Sequence, residues 1–293
     1  MNNLQKLESK SIYILREAYY HISNLGMLWS AGKDSTVLVH LCRKAFFGHV
    51  PFPLIHIDTG FKMPEMIAFR DQLALAWGLT MIYSQNRQAL HDKKTFPDKT
   101  ISCLECCKKL KTEVLQQVVQ GKATQFRLNH TTAQYELDRT PEPLGGLIIG
   151  IRADEEGSRS KERYFSVRDK NNDWNYESQL PEFWGHFNTE FSPGSHIRVH
   201  PLLDWREIDI WQYIKREQIP ISSLYFNKGD GTRFRSLGCI PCTRPIYSAA
   251  SNIDEIVEEL QSGELANTGE RSGRAQDQED RGGLETLRKG GYM

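Results

Sequence analysis

The sequence predicts an α/β protein: a mainly parallel sheet with helices on both faces, an N-terminal helix leading in and an extended C-terminal tail leading out. Three observations carry that prediction. Short apolar runs alternate with helical patterns of roughly 10–15 residues, as in βαβ units. A loop of small residues joins the first of those runs directly to a helix. The composition is that of an ordinary globular chain, 39% hydrophobic and 25% charged, with 37 Lys+Arg against 37 Asp+Glu. That zero balance argues against a protein that grips nucleic acid by bulk charge. Its 293 residues amount to about two domain lengths, or one large α/β unit with an appendage.

Taken in order, residues 4–22 place Leu4, Leu7, Ile12, Ile14, Leu15 and Tyr19 at near-helical intervals, so residues 1–22 form an amphipathic N-terminal helix. Gly26-Met27-Leu28-Trp29-Ser30 reads as a strand, residues 31–35 as a loop and 36–47 as a helix. Residues 53–58 give a second strand ending in Asp58-Thr59-Gly60, followed by a helix over 64–77 and a third strand over 79–83. Residues 147–151 supply a fourth strand, and 196–199 an edge segment before a helix over 205–217. Residues 86–102, 122–143 and 167–195 are long and polar, and are expected to be irregular insertions, lids or partner surfaces. The main unit then spans residues 23–250, and 251–293 form a helix and tail docked on it or on a partner. No window is apolar enough for a membrane helix and no leader is visible, so a cytoplasmic protein is expected. Six cysteines in that compartment are thiols or ligands rather than disulfides.

The chemistry begins at Ser30-Ala31-Gly32-Lys33-Asp34-Ser35, between the first strand and its helix. Small residues let the backbone approach a phosphate, the helix N-terminus offers donors, two hydroxyls complete a cradle and Lys33 adds a point charge. With one glycine and the lysine ahead of Asp34, this is not the GxxxxGK[ST] loop of β,γ-cleaving NTPases. Arg152, Asp154, Glu155, Arg159, Lys161 and Arg163 form a charge-dense run after the fourth strand, suited to an anionic transition state, with Glu156 and Glu162 read as a solvated face. Cys103-Leu104-Glu105-Cys106-Cys107 and Cys239-Ile240-Pro241-Cys242 hold two C-x₂-C pairs and an adjacent thiol, a set that suits Zn²⁺ or an Fe–S cluster. Cys42, Trp205 and Trp211 are expected in the core. Trp174, Phe183, Trp184 and Phe187 are expected to cover a subunit or domain face rather than to stack on nucleic acid.

The hexapeptide resembles the PP-loop (SxGKDS) of the N-type ATP pyrophosphatases, which cleave ATP between the α- and β-phosphates on an adenine-nucleotide α-hydrolase-like sheet. More narrowly, LQKLESKSIYILREA, PFPLIHIDTGFKMPEMIAFRD, IRADEEGSRSKERYFSVRD, HIRVHPLLDWREIDIWQYI and ERSGRAQDQEDRGGLETLRKGGYM are similar to the ATP-cleaving small subunit of heterodimeric sulfate adenylyltransferase, in the phosphoadenylylsulfate reductase superfamily. The resemblance implies ATP and Mg²⁺, with Ser30, Gly32, Lys33, Asp34 and Ser35 on the phosphates. It also implies that His56, Asp58 and Gly60 shape the pocket and that Asp58 helps to position Mg²⁺. Arg152 and Arg159 would bind the nucleotide, and Lys33, Asp34, Arg152 and Asp154 would carry catalysis.

The cysteines instead resemble the [4Fe–4S] ligation of assimilatory adenylylsulfate reductases. That pattern makes Cys106, Cys107, Cys239 and Cys242 the ligands and leaves Cys103 as an alternative ligand or reactive thiol, with Zn²⁺ the other metal to weigh. A reductase of that kind needs a further cysteine near its end, and none follows Cys242. The expected function is therefore ATP α,β-cleavage with AMP transfer in support of sulfur incorporation. DNA phosphorothioation, with a backbone phosphate as acceptor and a cysteine desulfurase as partner, leads over a tRNA base or a metabolite. The alternatives are sulfate as acceptor with a GTPase subunit as partner, and a non-catalytic adenine-nucleotide-binding subunit.

Overall fold

The computed structural model describes residues 2–174, 179–189, 192, 194–263, 265 and 268–271. Helix α1 (Asn3–His21) starts at a reciprocal cap between Asn2 and Gln5 and buries Ser11, Ile14, Leu15 and Ala18 along one stripe. Then come β1 (Leu25–Leu28), α2 (Lys33–Ala45), β2 (Leu54–Ile57), α3 (Pro64–Ala76) and β3 (Met81–Ser84). After α4 (Arg87–His91) and α5 (Cys103–Cys107), a π-helical turn, Lys108–Thr112, leads into α6 (Glu113–Val119). The hairpin β4 (Gln125–Asn129) and β5 (Gln134–Asp138), then β6 (Gly146–Ile148), β7 (Phe165–Arg168) and β8 (His196–Val199) complete the sheet. Helix α7 (Glu207–Glu217), the short pair β9 (Thr232–Arg233) and β10 (Ile246–Tyr247), and α8 (Ile253–Ser262) close the described order.

The eight strands lie in the order β5-β4-β3-β2-β1-β6-β8-β7. β3, β2, β1, β6 and β8 are parallel, while β4 and β7 pair antiparallel at either side. Parallel strands covered on both faces are apolar throughout rather than alternating, and β1, β2 and β6 are buried along their whole length. One face packs Trp29, Val37, Leu41, Cys42, Trp205 and Trp211 into the larger core, and the other joins Leu28, Ile55, Ile57 and Ile149 to Val114, Leu115 and Val118 of α6. Helix α1 is tied down by one buried relay: Ser11 Oγ donates to the Pro201 carbonyl at 2.7 Å and accepts from Trp205 Nε1 at 3.0 Å. Among the described residues no helix is long and apolar enough to cross a membrane.

Several expectations need correction. Residues 196–199 are an inner strand between β6 and β7, not an edge segment. The span 122–143 is not irregular but holds the β4–β5 hairpin, and β7 was hidden because its polar members are buried in a network. Within that network Glu162 is fully buried and pairs with Arg168 at 2.8 Å, so it is no part of a solvated face. Trp174 is buried and Phe187 stacks on Phe165, whereas Phe183 and Trp184 are exposed. Residues 272–293, most of the expected tail, lie outside the described residues.

Candidate active site

Between β1 and β2 the chain runs one way across the sheet, and between β1 and β6 the other way. Such a switch point leaves a crevice beyond the carboxyl ends of the strands. The loop 30–32 fills it. Ala31, at φ +59°, takes the left-handed turn, and Gly32 caps α2. A Cβ on Gly32 would stand 3.3 Å from Ser30 Oγ and 3.4 Å from the Tyr225 hydroxyl, so a larger residue would crowd both hydroxyls. Ser30 Oγ and Ser35 Oγ lie 3.1 Å apart, Ser35 Oγ donates to the Gly32 carbonyl, and the Lys33 amide donates to the Tyr225 hydroxyl at 2.8 Å.

A cavity of about 180 Å³ opens over this loop. Its apolar wall is Leu28, Ile55, Ile57, Ile149 and Ile151, and its polar side is formed by Ser30, Lys33, Asp34, Ser35, Glu155 and Arg159. Lys33 is 1% exposed; its Nζ meets Glu270 and the Asp34 carboxylate at 3.5 Å and donates to the Arg235 carbonyl at 3.2 Å. Arg152, fully buried, fans out to Asp34, to Asp154 at 2.9 Å and to Glu270. Burial alone would lower the Lys33 pKa, but the Glu270 and Glu207 carboxylates outweigh it and hold the ammonium above its ordinary value. By the same balance Glu270, whose burial favours the acid form, is kept ionised by Arg152 and Lys33. Glu155 is held down likewise by Arg159, Arg271 and Arg152.

The structure thus brings Ser30, Gly32, Lys33, Asp34, Ser35, His56 and Arg159 to one cavity, with Arg152 immediately beneath it. It separates others. Asp58 accepts from the Gly60 amide at 2.9 Å and from Gln85, and neither Asp58 nor Gly60 lines the cavity, so both shape the turn after β2. Asp154 orients Arg152 and accepts from the Glu207 amide at 2.9 Å, a supporting position rather than a reacting one. His56 is buried, and its Nδ1 donates to the Trp29 carbonyl at 2.9 Å. Burial, with Arg70 and Lys62 nearby, depresses its pKa, so the ring is neutral and structural. Sequence reasoning missed Tyr225, Lys62, Lys111, Gly238, Glu270 and Arg271. Only Glu270 and Arg271 carried a local signal, the ERSGR run.

Beside the cavity the five cysteines from the two distant segments meet. Cys103, Cys107, Cys239 and Cys242 form one buried cluster with Cys106 alongside, and Cys103 Sγ stands 3.5 Å from Cys242 Sγ. Cys103 thus lies inside the thiol cluster. Thr59 Oγ1 lies 3.1 Å from Cys239 Sγ, and Lys111, which also lines the cavity, reaches Cys107 Sγ at 3.7 Å. Hydrogen bonding to Cys107 and Cys242 raises the Cys103 pKa, and burial pushes the Cys106 thiol up to about 11. Among the described residues no three His, Cys, Asp or Glu side chains are placed to hold a metal ion.

The chain is 39% identical over its whole length to a sulfate adenylyltransferase subunit 2 of Trichlorobacter lovleyi, covering 99% of it, and 37% identical to the protein of that name from Pseudoalteromonas translucida, again covering 99%. Among solved structures, Candida glabrata FMN adenylyltransferase in complex with ATP superposes with a TM-score of 0.52 at 20% identity, over 83% of this chain and 63% of that one, a likeness of fold. Residues 24–245 match the phosphoadenosine phosphosulfate reductase domain, and with loop, switch point and relatives in agreement, the chain belongs to that family.

Proposed function

We propose that the protein binds ATP over the 30–35 loop, cleaves it between the α- and β-phosphates and transfers AMP to sulfate, acting beside a GTPase subunit. The observation that carries this reading is the convergence of buried Lys33 and Arg152 at the strand ends around one cavity. The full-length similarity to sulfate adenylyltransferase subunit 2 supports the acceptor. The apolar wall takes the adenine. The hydroxyls of Ser30 and Ser35 and the first turn of α2 take the departing pyrophosphate. Lys33 and Arg152 disperse the charge that grows on the α-phosphoryl oxygens, the preorganised stabilisation that dominates such transfers. Sulfate is already an anion at neutral pH, so no general base is required. Mg²⁺ binds largely through substrate phosphates and water, and Asp34, the aspartate lining the cavity, is the residue suited to support it. When bound it neutralises the polyphosphate.

The five converging thiols favour a second reading, in which the adenylated oxygen belongs to another acceptor, such as a DNA backbone phosphate. A sulfur nucleophile supplied with a cysteine desulfurase would attack it and AMP would leave. Thiols are the donors a thiophilic centre takes, although among the described residues no three of them are placed to hold a metal ion. Thiolates on one zinc at roughly 2.3 Å lie about 3.8 Å apart, close to the 3.5 Å between Cys103 and Cys242. Cys103, Cys107, Cys239 and Cys242 would hold Zn²⁺; Cys106, Cys107, Cys239 and Cys242 would hold a [4Fe–4S] cluster. A cluster there would supply a sulfur-binding or redox function, and zinc would brace the two segments.

The deciding experiment is pyrophosphate release from ATP, with and without sulfate and a GTPase subunit, on anaerobically purified protein whose iron, sulfide and zinc are quantified. Sulfate-stimulated release supports the first reading. Release indifferent to sulfate, with near-stoichiometric iron and sulfide, moves the assignment to the second. ATP binding without release under any condition leaves a non-catalytic nucleotide-binding subunit.

A further inference from the structure

Lys33, which lines the cavity, and Arg152, buried beneath it, share a second carboxylate besides Asp34. Glu270, on the segment 268–271, places one carboxylate oxygen on Lys33 Nζ and the other on Arg152 Nη2. Its side chain is 6% exposed. The segment is fastened on both sides of that contact. Arg235 Nη1 donates to the Thr268 carbonyl at 2.6 Å, and Arg271 pairs with Glu155 at 3.3 Å while lining the cavity. Cations sunk this deep are costly without a counter-charge. A carboxylate presents an arginine fork with two acceptor oxygens, as a phosphoryl group does.

We infer that Glu270 is a built-in counter-ion of the polyphosphate subsite, exchanged for the nucleotide when it binds, so that ATP or pyrophosphate lifts residues 268–271 off the cavity. The inference rests on the proposed nucleotide site, because it takes Lys33 and Arg152 as the cations that phosphate needs. Glu270 and the polyphosphate cannot both hold them. The intrinsic affinity for nucleotide is therefore reduced by the fraction of molecules in which the carboxylate is seated.

The test titrates full-length protein and its Glu270→Gln variant with α,β-methylene-ATP, with pyrophosphate and with adenosine. The variant is expected to bind the first two about tenfold more tightly, by removal of the competing charge, and adenosine as the parent does. Amide hydrogen exchange over 268–271 in the unmutated protein gives a readout that does not depend on the variant folding, and it is expected to quicken when α,β-methylene-ATP is added. Equal affinity of the two proteins for pyrophosphate, or slower exchange in the segment on nucleotide addition, overturns the exchange mechanism while leaving the nucleotide site standing. Absence of any nucleotide or pyrophosphate binding in both proteins removes the site and the inference together.

Discussion

At Arg152 a single guanidinium serves three carboxylates, and its planar fork rather than its charge is what makes that feasible. Arg152→Lys keeps the charge and loses the fork, so pyrophosphate release is expected to fall on the order of a hundredfold, measured as kcat with ATP saturating. Gly150 sets the spacing between β6 and the loop: a Cβ there would stand 3.2 Å from Ser35 Cα and 3.3 Å from Ser35 N, backbone atoms that cannot turn aside. Gly150→Ala is expected to cost about 1–3 kcal/mol of stability and to raise the KM for ATP, read by urea melts and initial rates. At this scale the sequence revealed what is local. Lys33 and Ser35 sit in one hexapeptide after an apolar run, and Arg152 follows another. Glu270 lies 237 residues from Lys33 and Tyr225 lies 192 from it, and no pattern near either one announces a partner so distant.

Among the elements, α1 shows how much depends on a few polar atoms. Ser11→Ala would strand the Trp205 N–H and the Pro201 carbonyl in the interior, at an expected cost of about 1–3 kcal/mol, seen as a lower urea midpoint with an unchanged slope. The parallel strands and their helices were legible because each apolar run is buried on both faces and each helix carries a periodic stripe. The β4–β5 hairpin was not, even though Gln125-Phe126-Arg127-Leu128-Asn129 and Gln134-Tyr135-Glu136-Leu137-Asp138 each alternate polar with apolar, because each strand is only five residues long within a polar stretch, with Arg127 pairing Asp138 across the strands at 2.7 Å. The thiol-bearing helix α5 was legible in composition but not in register. Only the fold shows that Cys103 joins Cys107, Cys239 and Cys242, and that a π-helical turn directly after Cys107 redirects the chain into α6.

For the whole molecule, the interior around β7 and β8 sets a pH limit. His196 is held to about 3 by burial, with Arg198 and Arg168 adding to the effect, so the folded protein keeps it neutral while the unfolded chain, at its ordinary value of 6.5, takes up a proton. Stability from this group is complete above pH 6.5 and drains away as the pH falls toward 3, by about 1.4 kcal/mol per pH unit at most. Denaturant midpoints measured at pH 7.5 and 5 should fall together less steeply in His196→Gln than in the parent. His56 titrates in the same sense and accounts for part of the remaining slope. The hairpin added at the sheet's margin has a practical corollary. β4 runs opposite to β3, so the turn at Thr131–Ala133 emerges at the amino-terminal end of the parallel strands, on the far pole from the nucleotide crevice, with all three residues exposed. A fluorophore or affinity handle grafted there can report on this enzyme without trespassing on its chemistry.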